Sequence, residues 1–248
     1  MKPIYTPDPR ALGKEGFDFC PGCGYGSILL SLTEVVRKMV QPPVFMVDIG
    51  CVDFMTAHMP GDVIMGTHGR TTALASGYKR VTPDRLVCTI QGDGGFMGIG
   101  ATESLYTAVR GEPITAIVLQ NGVLADTGGQ MAPTTLSGQV TTTTPKGRAT
   151  DSGKPLLFLE MLSGLDGVAY AERVAIASGP EIRKVGRALE RAFEVQSAGI
   201  GMSIVEILTP CPTHWRMDPV DAWKHIQEST ETVYRTGVLK NKLAGSAE

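Results

Sequence analysis

The sequence predicts an α/β fold, a doubly wound and mostly parallel sheet with helices on both faces. Three observations predict it. Short apolar runs of strand length alternate with segments of helical periodicity, 248 residues suffice for one full core, and chemistry-bearing side chains recur just after the apolar runs. Residues 27–39 carry Ile28, Leu29, Leu32, Val35, Val36 and Met39 at helical spacing. Residues 44–49 (VFMVDI) read as a buried strand that stops at Gly50, 73–79 as a short helix, and 85–90 as a second strand. A helix over 99–109 ends at Gly111, and 114–119 is the third strand. Helices over 155–164 and 180–196 and strands over 168–174 and 202–208 complete the alternation. Residues 122–153, rich in Gly, Thr, Gln and Pro, show no periodicity; a run that long inside a compact domain is usually functional. The whole chain, 1–248, reads as a single domain, and only NKLAGSAE at 241–248 looks like a frayed tail.

Composition excludes several classes. With 42% hydrophobic and 19% charged residues and a formal net charge of −2, the chain has no basic footprint for nucleic acid. The opening MKPIYTPDPR lacks the apolar core of a signal peptide, and no run approaches the roughly 20 apolar residues of a membrane helix. A cytoplasmic protein is expected, with five cysteines in a reducing compartment, where paired Cys spacing favours metal or redox chemistry over structural disulfides.

Gly92-Asp93-Gly94 follows the second strand, and Asn121, after 26 further residues, follows the third. Glycines let a backbone approach phosphate closely, and Asp93 and Asn121 offer the hard oxygens that magnesium takes alongside phosphate and water. An Asp capping a helix would explain the tripeptide alone but not the paired Asn. The spacing resembles the thiamine diphosphate motif, GDG followed by about 26 residues and Asn. That motif implies that Asp93, Asn121 and the backbone carbonyl of Val123 bind Mg2+.

Cys20 and Cys23 form a CxxC with a Pro-Gly turn; Cys51 and Cys211 each follow a predicted strand. Four thiolates converging from turns suit either tetrahedral zinc or a 4Fe–4S cluster. A thioredoxin-like dithiol would leave Cys51 and Cys211 without a role. Cys88, inside a strand, reads as a small core residue.

Together CPGCG (20–24), DIGC (48–51), THGR (67–70), GDG (92–94), TGGQMAPTT (127–135) and PCPT (210–213) resemble the β subunit of the 2-oxoacid:ferredoxin oxidoreductases, over almost the whole chain. The short length is similar to the multi-subunit 2-oxoglutarate and branched-chain 2-oxoacid types. The resemblance implies oxidative decarboxylation of a 2-oxoacid to acyl-CoA and CO2, with electrons leaving through a 4Fe–4S cluster to ferredoxin. It implies thiamine diphosphate and Mg2+ as cofactors and coenzyme A as co-substrate. Cys20, Cys23, Cys51 and Cys211 would hold the cluster. His68 and Arg70 would be catalytic, beside a cofactor bound by Gly50, Cys51, His68, Gly69, Gly92, Asp93, Gly94, Gly95, Asn121, Leu124, Ala125 and Thr127. A helix-capping His and a surface Arg are the bland readings of His68 and Arg70. Gly128, Gly129 and Gln130 would shape the loop over the diphosphate.

The activating glutamate of such enzymes comes from a pyrimidine-binding domain, so an α subunit is expected to supply it, alongside γ and ferredoxin-like δ subunits. Glu103 and Glu160 read instead as solvated helix faces. The chain departs from the family at three places. Gly95 stands where GDGD has its second Asp, Gln120 precedes Asn121 in place of Asn, and Leu124-Ala125-Asp126 replaces Tyr-Gly-Met. The last change removes a hydroxyl and adds a charge that repels a second substrate carboxylate. Two rival classes remain: a non-redox thiamine enzyme subunit, which leaves four cysteines idle, and a zinc-stabilised binding module, which leaves Asp93 and Asn121 idle.

Overall fold

The computed structural model describes residues 18–243; MKPIYTPDPR and the end of the expected tail, 244–248, lie outside them. Helix α1 (Tyr25–Val36) begins straight after the CPGC turn and ends short of Pro42-Pro43, which disfavour helical backbone before them. Strand β1 (Val44–Val47) is buried on both faces. A 3-10 helix at Asp53–His58 and a short strand, β2 (Val63–Met65), follow. Then come α2 (Thr71–Val81), β3 (Val87–Gly92), a π-helical turn at Gly94–Ile99, α3 (Ala101–Arg110) and β4 (Thr115–Gln120). A two-residue hairpin, β5 (Val123–Leu124) with β6 (Gln130–Met131), opens the aperiodic segment. Helix α4 (Phe158–Ser163), β7 (Val168–Ala175), α5 (Gly179–Ser197) and β8 (Met202–Leu208) follow. Short helices α6 (Pro212–Trp215), α7 (Pro219–His225) and α8 (Glu231–Val233) lead to β9 (Gly237–Asn241).

The seven-stranded sheet runs β2-β1-β3-β4-β8-β7-β9, parallel throughout except for β9. Alternate residues of each strand feed two cores. Phe45, Val47, Ile90, Ile117 and Val205 meet Leu29, Leu32 and Leu189 from α1 and α5 on one face. Val44, Met46, Val87, Val118 and Ile204 meet Ala75, Ala108 and Leu159 from α2, α3 and α4 on the other. Cys88 is fully buried in the first of these cores, in keeping with a packing role. Among the described residues no helix is long and apolar enough to cross a membrane.

Two edge strands escape the sequence pattern. β2 is three residues long, and β9 contains Asn241, assigned above to a frayed tail. Antiparallel pairing with β7, Tyr170 opposite Asn241 and Ala171 opposite Lys240, orders that segment. A short edge strand bearing lysine carries no periodic signal of its own.

The aperiodic segment is ordered by a buried cation. Arg148 is 7% exposed, and its guanidinium donates to the carbonyls of Pro133 (2.9 Å), Thr135 (2.6 Å), Ser152 (3.4 Å), Gly153 (3.0 Å) and Lys154 (2.8 Å). Five fixed donors replace a regular backbone ladder there.

Candidate functional site

Parallel strands deliver their carboxyl ends to one edge, where ligands of such sheets sit. Cys51 follows β1, His68 follows β2, Asp93 follows β3, Asn121 follows β4 and Cys211 follows β8. A pocket at this edge is lined by Gly50, Cys51, His68, Gly92, Asp93, Gly94, Gly95, Asn121, Val123, Leu124, Ala125 and Thr127. Of the expected cofactor-binding residues only Gly69 is missing from its wall; the Gly69 N–H donates to Asp48 instead.

Asp93 is 2% exposed. Its Oδ1 accepts from the Gly94 N–H at 2.9 Å, and its Oδ2 accepts from the Gly122 N–H at 2.8 Å and from the Thr134 hydroxyl. Burial pushes this carboxyl up to about 6, against those hydrogen bonds, which favour the charged form. A desolvated carboxylate in a ring of donors, with a buried Asn121 beside it, is a donor set that suits a hard cation. Asn121 Oδ1 accepts from the Val123 N–H at 3.1 Å, and its backbone carbonyl accepts from Trp215 Nε1 at 3.0 Å.

The four cysteines share a second cavity, lined by Cys20, Cys23, Cys51 and Cys211 together with Phe19, Tyr25 and His214. The CPGC turn closes on itself by a bond from Cys23 N–H to Cys20 O at 3.0 Å, and Trp223 Nε1 holds Gly22 O at 2.8 Å. Burial, reinforced by the neighbouring sulfurs, pushes the thiols of Cys23 and Cys51 up to about 12 and that of Cys211 up to about 11. A cationic group would reverse that preference and draw thiolates. Yet among the described residues no three Cys, His, Asp or Glu side chains converge as ligands of a single ion.

Tyr25, Cys51, Asn121 and Ala125 line both cavities, so one wall separates them. Tyr25 is 3% exposed and packs edge-on to Phe19 with ring centroids 6.0 Å apart. Burial and the nearby Cys23, Asp93, Cys51 and Cys211 hold its hydroxyl well above the ordinary range, in the neutral form. Position 25 directly follows CPGCG, which was the one available signal for it.

Arg70 departs from expectation. Its guanidinium is paired with Glu103 and does not line the pocket; Arg70 stands just before α2, which packs on α3, where Glu103 lies. Glu103 is accordingly no solvated face, and its second oxygen is buried without a partner. Glu160 is likewise paired, with both oxygens on the buried Arg173 at 2.7 and 2.8 Å. Although burial raises it, the Arg173 guanidinium holds the Glu160 carboxyl below the usual range. Asp126 does line the pocket; burial first, and then the Asp126 charge, push up the Cys51 thiol and the Asp53 carboxyl. Thr134, Trp215 and Asp48 were missed as site residues because their partners lie 41, 94 and 21 residues away in sequence.

Residues 48–207 match the thiamine pyrophosphate enzyme family, in its C-terminal TPP binding domain. The chain is 33% identical over 213 residues to the 2-oxoglutarate synthase subunit KorB of Archaeoglobus fulgidus, covering 85% of this chain and 76% of that protein. The chain is a β-subunit relative of the 2-oxoacid:ferredoxin oxidoreductases. Within that family it is 38% identical over 229 residues to the ketoisovalerate oxidoreductase subunit VorA of Methanothermobacter thermautotrophicus. That match covers 91% of this chain and 48% of VorA, so the chain spans about half the length of this relative. The 2-oxoglutarate:ferredoxin oxidoreductase from Magnetococcus marinus, solved with 2-oxoglutarate, coenzyme A and succinyl-CoA bound, shares the fold. Its TM-score is 0.73 at 22% identity, over 97% of this chain and 86% of that one.

Proposed function

We propose that this chain is the thiamine diphosphate-binding β subunit of a cytoplasmic 2-oxoacid:ferredoxin oxidoreductase, converting a 2-oxoacid and coenzyme A to acyl-CoA and CO2. The observation that carries this reading is the shared wall: the pocket of Asp93 and Asn121 and the cavity of four cysteines are separated by single side chains. When bound, thiamine diphosphate supplies a carbanion for attack on the 2-oxo carbon, and a 4Fe–4S cluster takes up electrons singly for ferredoxin.

The chain's own residues would divide the work. Asp93, Asn121 and the Val123 carbonyl hold Mg2+ on the diphosphate, and the glycines at 92, 94 and 95 let the backbone approach it. Val123, Leu124, Ala125, Asp126 and Thr127, from the segment between Asn121 and β6, would form one wall of the site. Cys20, Cys23, Cys51 and Cys211 hold the cluster across the wall. Among the described residues no glutamate lines the pocket, which supports a pyrimidine-domain α subunit as donor of the activating carboxylate. γ and ferredoxin-like δ subunits complete the assembly in this reading, and residues 1–248 act as a single domain.

The substrate we infer is a branched-chain or aromatic 2-oxoacid rather than 2-oxoglutarate. Leu124 gives the pocket an apolar face, and Asp126 opposes a second carboxylate. The test is anaerobic co-purification with partners, followed by iron, sulfide, zinc and thiamine analysis and an oxoacid panel. The reading expects about four irons and four sulfides per β chain beyond any ferredoxin-like partner. Kinetics with 2-oxoisovalerate should exceed those with 2-oxoglutarate, and Asp126→Ala should narrow the gap. Zinc without iron would remove the electron-transfer role, and fastest turnover of 2-oxoglutarate would remove the substrate assignment.

A further inference from the structure

Asp48 has no part in the scheme above, yet it is a fully buried carboxylate at the pocket edge. Its Oδ1 accepts from the N–H of Ile49 at 2.8 Å and of Gly69 at 2.9 Å, and its Oδ2 from Gln91 Nε2 at 3.2 Å. His68 Nδ1 stands 3.5 Å from Asp48 Oδ1 and 3.0 Å from the carbonyl of Ile49. A carbonyl can only accept, so Nδ1 carries the hydrogen, and in the neutral ring Nε2 keeps its lone pair. Among the described residues nothing bonds Nε2, and the ring lines the pocket.

Gly95 belongs to the same arrangement. A Cβ there would collide with Asp48 Oδ2 and come within 3.5 Å of His68 Cε1. The side chain absent at 95 is what lets the Asp48 carboxylate sit beneath the imidazole. Arg70, two residues on, is turned to Glu103 and leaves the ring free of a competing cation. The other ionisable groups on the pocket wall are Tyr25, Cys51, Asp93 and Asp126.

We propose that Asp48 and His68 form a proton-handling pair facing this pocket, with Asp48 as the positioning residue and His68 Nε2 as the group that meets the reacting atoms. This rests on reading the pocket as the thiamine diphosphate site. An O–H or N–H proton of the bound reactants passes to Nε2, giving an imidazolium beside the Asp48 carboxylate. The same proton returns in the reverse direction or leaves to solvent along the half-exposed ring, with no electron gained or lost. The Ile49 carbonyl fixes the tautomer, and the buried Asp48 carboxylate, 3.5 Å from Nδ1, favours the imidazolium that forms.

The test uses the holoenzyme with 2-oxoisovalerate and a viologen acceptor, comparing wild type, Asp48→Asn, His68→Gln and the double variant across pH. Each single change is expected to lower kcat by roughly 10- to 100-fold with KM within about threefold. The double variant should be no slower than the slower single, because the two residues act as a unit. The pH limb seen in wild type should move in Asp48→Asn and vanish in His68→Gln. Multiplying effects, or one limb common to all four proteins, would overturn the pair. Should Asp48→Asn fail to fold, His68→Gln decides alone, since its side chain is 41% exposed; an unchanged kcat and profile there overturns the proposal. Titration of wild type with thiamine diphosphate and Mg2+ separates the two claims. Absent binding defeats the site reading, whereas normal binding with indifferent variants defeats only the pair.

Discussion

Arg148→Met removes the guanidinium that organises the loop over the site while keeping an aliphatic stem of similar length. Of the five carbonyls it serves, those of Ser152, Gly153 and Lys154 belong to exposed residues and regain water. Those of Pro133 and Thr135 sit deeper, at 2.9 and 2.6 Å from Nη1; Pro133 keeps only the Leu156 N–H at 3.0 Å, and Thr135 loses its donor. A hydrogen bond to a charged group contributes roughly 1.5–3 kcal/mol, so the two inner bonds together amount to about 4 kcal/mol. In a domain of this size each kcal/mol moves the melting midpoint by roughly 2–4 °C, which predicts a fall of about 8–16 °C. The loss should reach the site, because Thr134 lies between the two released carbonyls and its hydroxyl donates to Asp93. Circular-dichroism melting, limited proteolysis and titration with thiamine diphosphate and Mg2+ read these consequences. Cleavage should begin within 136–153, and cofactor affinity should fall at least tenfold. Arg148→Lys, a point charge with three donors, should land between the two. A midpoint within about 2 °C of wild type with an unchanged digestion pattern would refute the clasp.

Three further outcomes are expected. The Asp93 carboxyl titrates near 3.8 when unfolded and, through burial, at about 6 when folded, so the metal-free folded chain holds more protons between those values. This group's contribution to stability therefore falls as pH rises from about 4 to 6, by roughly 3 kcal/mol. Asp93→Asn should melt at or above wild type at pH 7.5 without metal, yet gain nothing from Mg2+ and thiamine diphosphate; a gain equal to wild type's would exclude Asp93 as a ligand. Gly129 has a φ of +78°, and a Cβ there would collide with His214 Nδ1 on the wall of the cysteine cavity. Gly129→Ala should lower iron content per chain and destabilise by about 1–3 kcal/mol, measured by iron analysis and melting; full iron content would show that the loop yields freely. Trp215→Phe deletes the indole donor to the Asn121 carbonyl and should weaken cofactor binding by roughly three- to tenfold with little change in melting. Unaltered affinity would mean that the bond does not position Asn121.

Much of this molecule was legible without coordinates. Periodicity marked α1, α5 and the strands of the parallel sheet, because burial on one stripe or on both faces leaves a local record. The spacing of Asp93 and Asn121 and the four cysteines outside the core strands marked where chemistry gathers, since a parallel sheet sends every carboxyl end to one edge. Only the tertiary structure decided which way side chains turn at that edge. Arg70 pairs with Glu103 and Glu160 with Arg173, where helix patterns had read surface residues. The strand register around β1, β3 and β4 sets Asp48 under His68 and beside Gly95, and packing makes Tyr25 a wall between two cavities. Local sequence records which groups must be buried or turned; contacts between residues far apart depend on register and packing, which no short window contains.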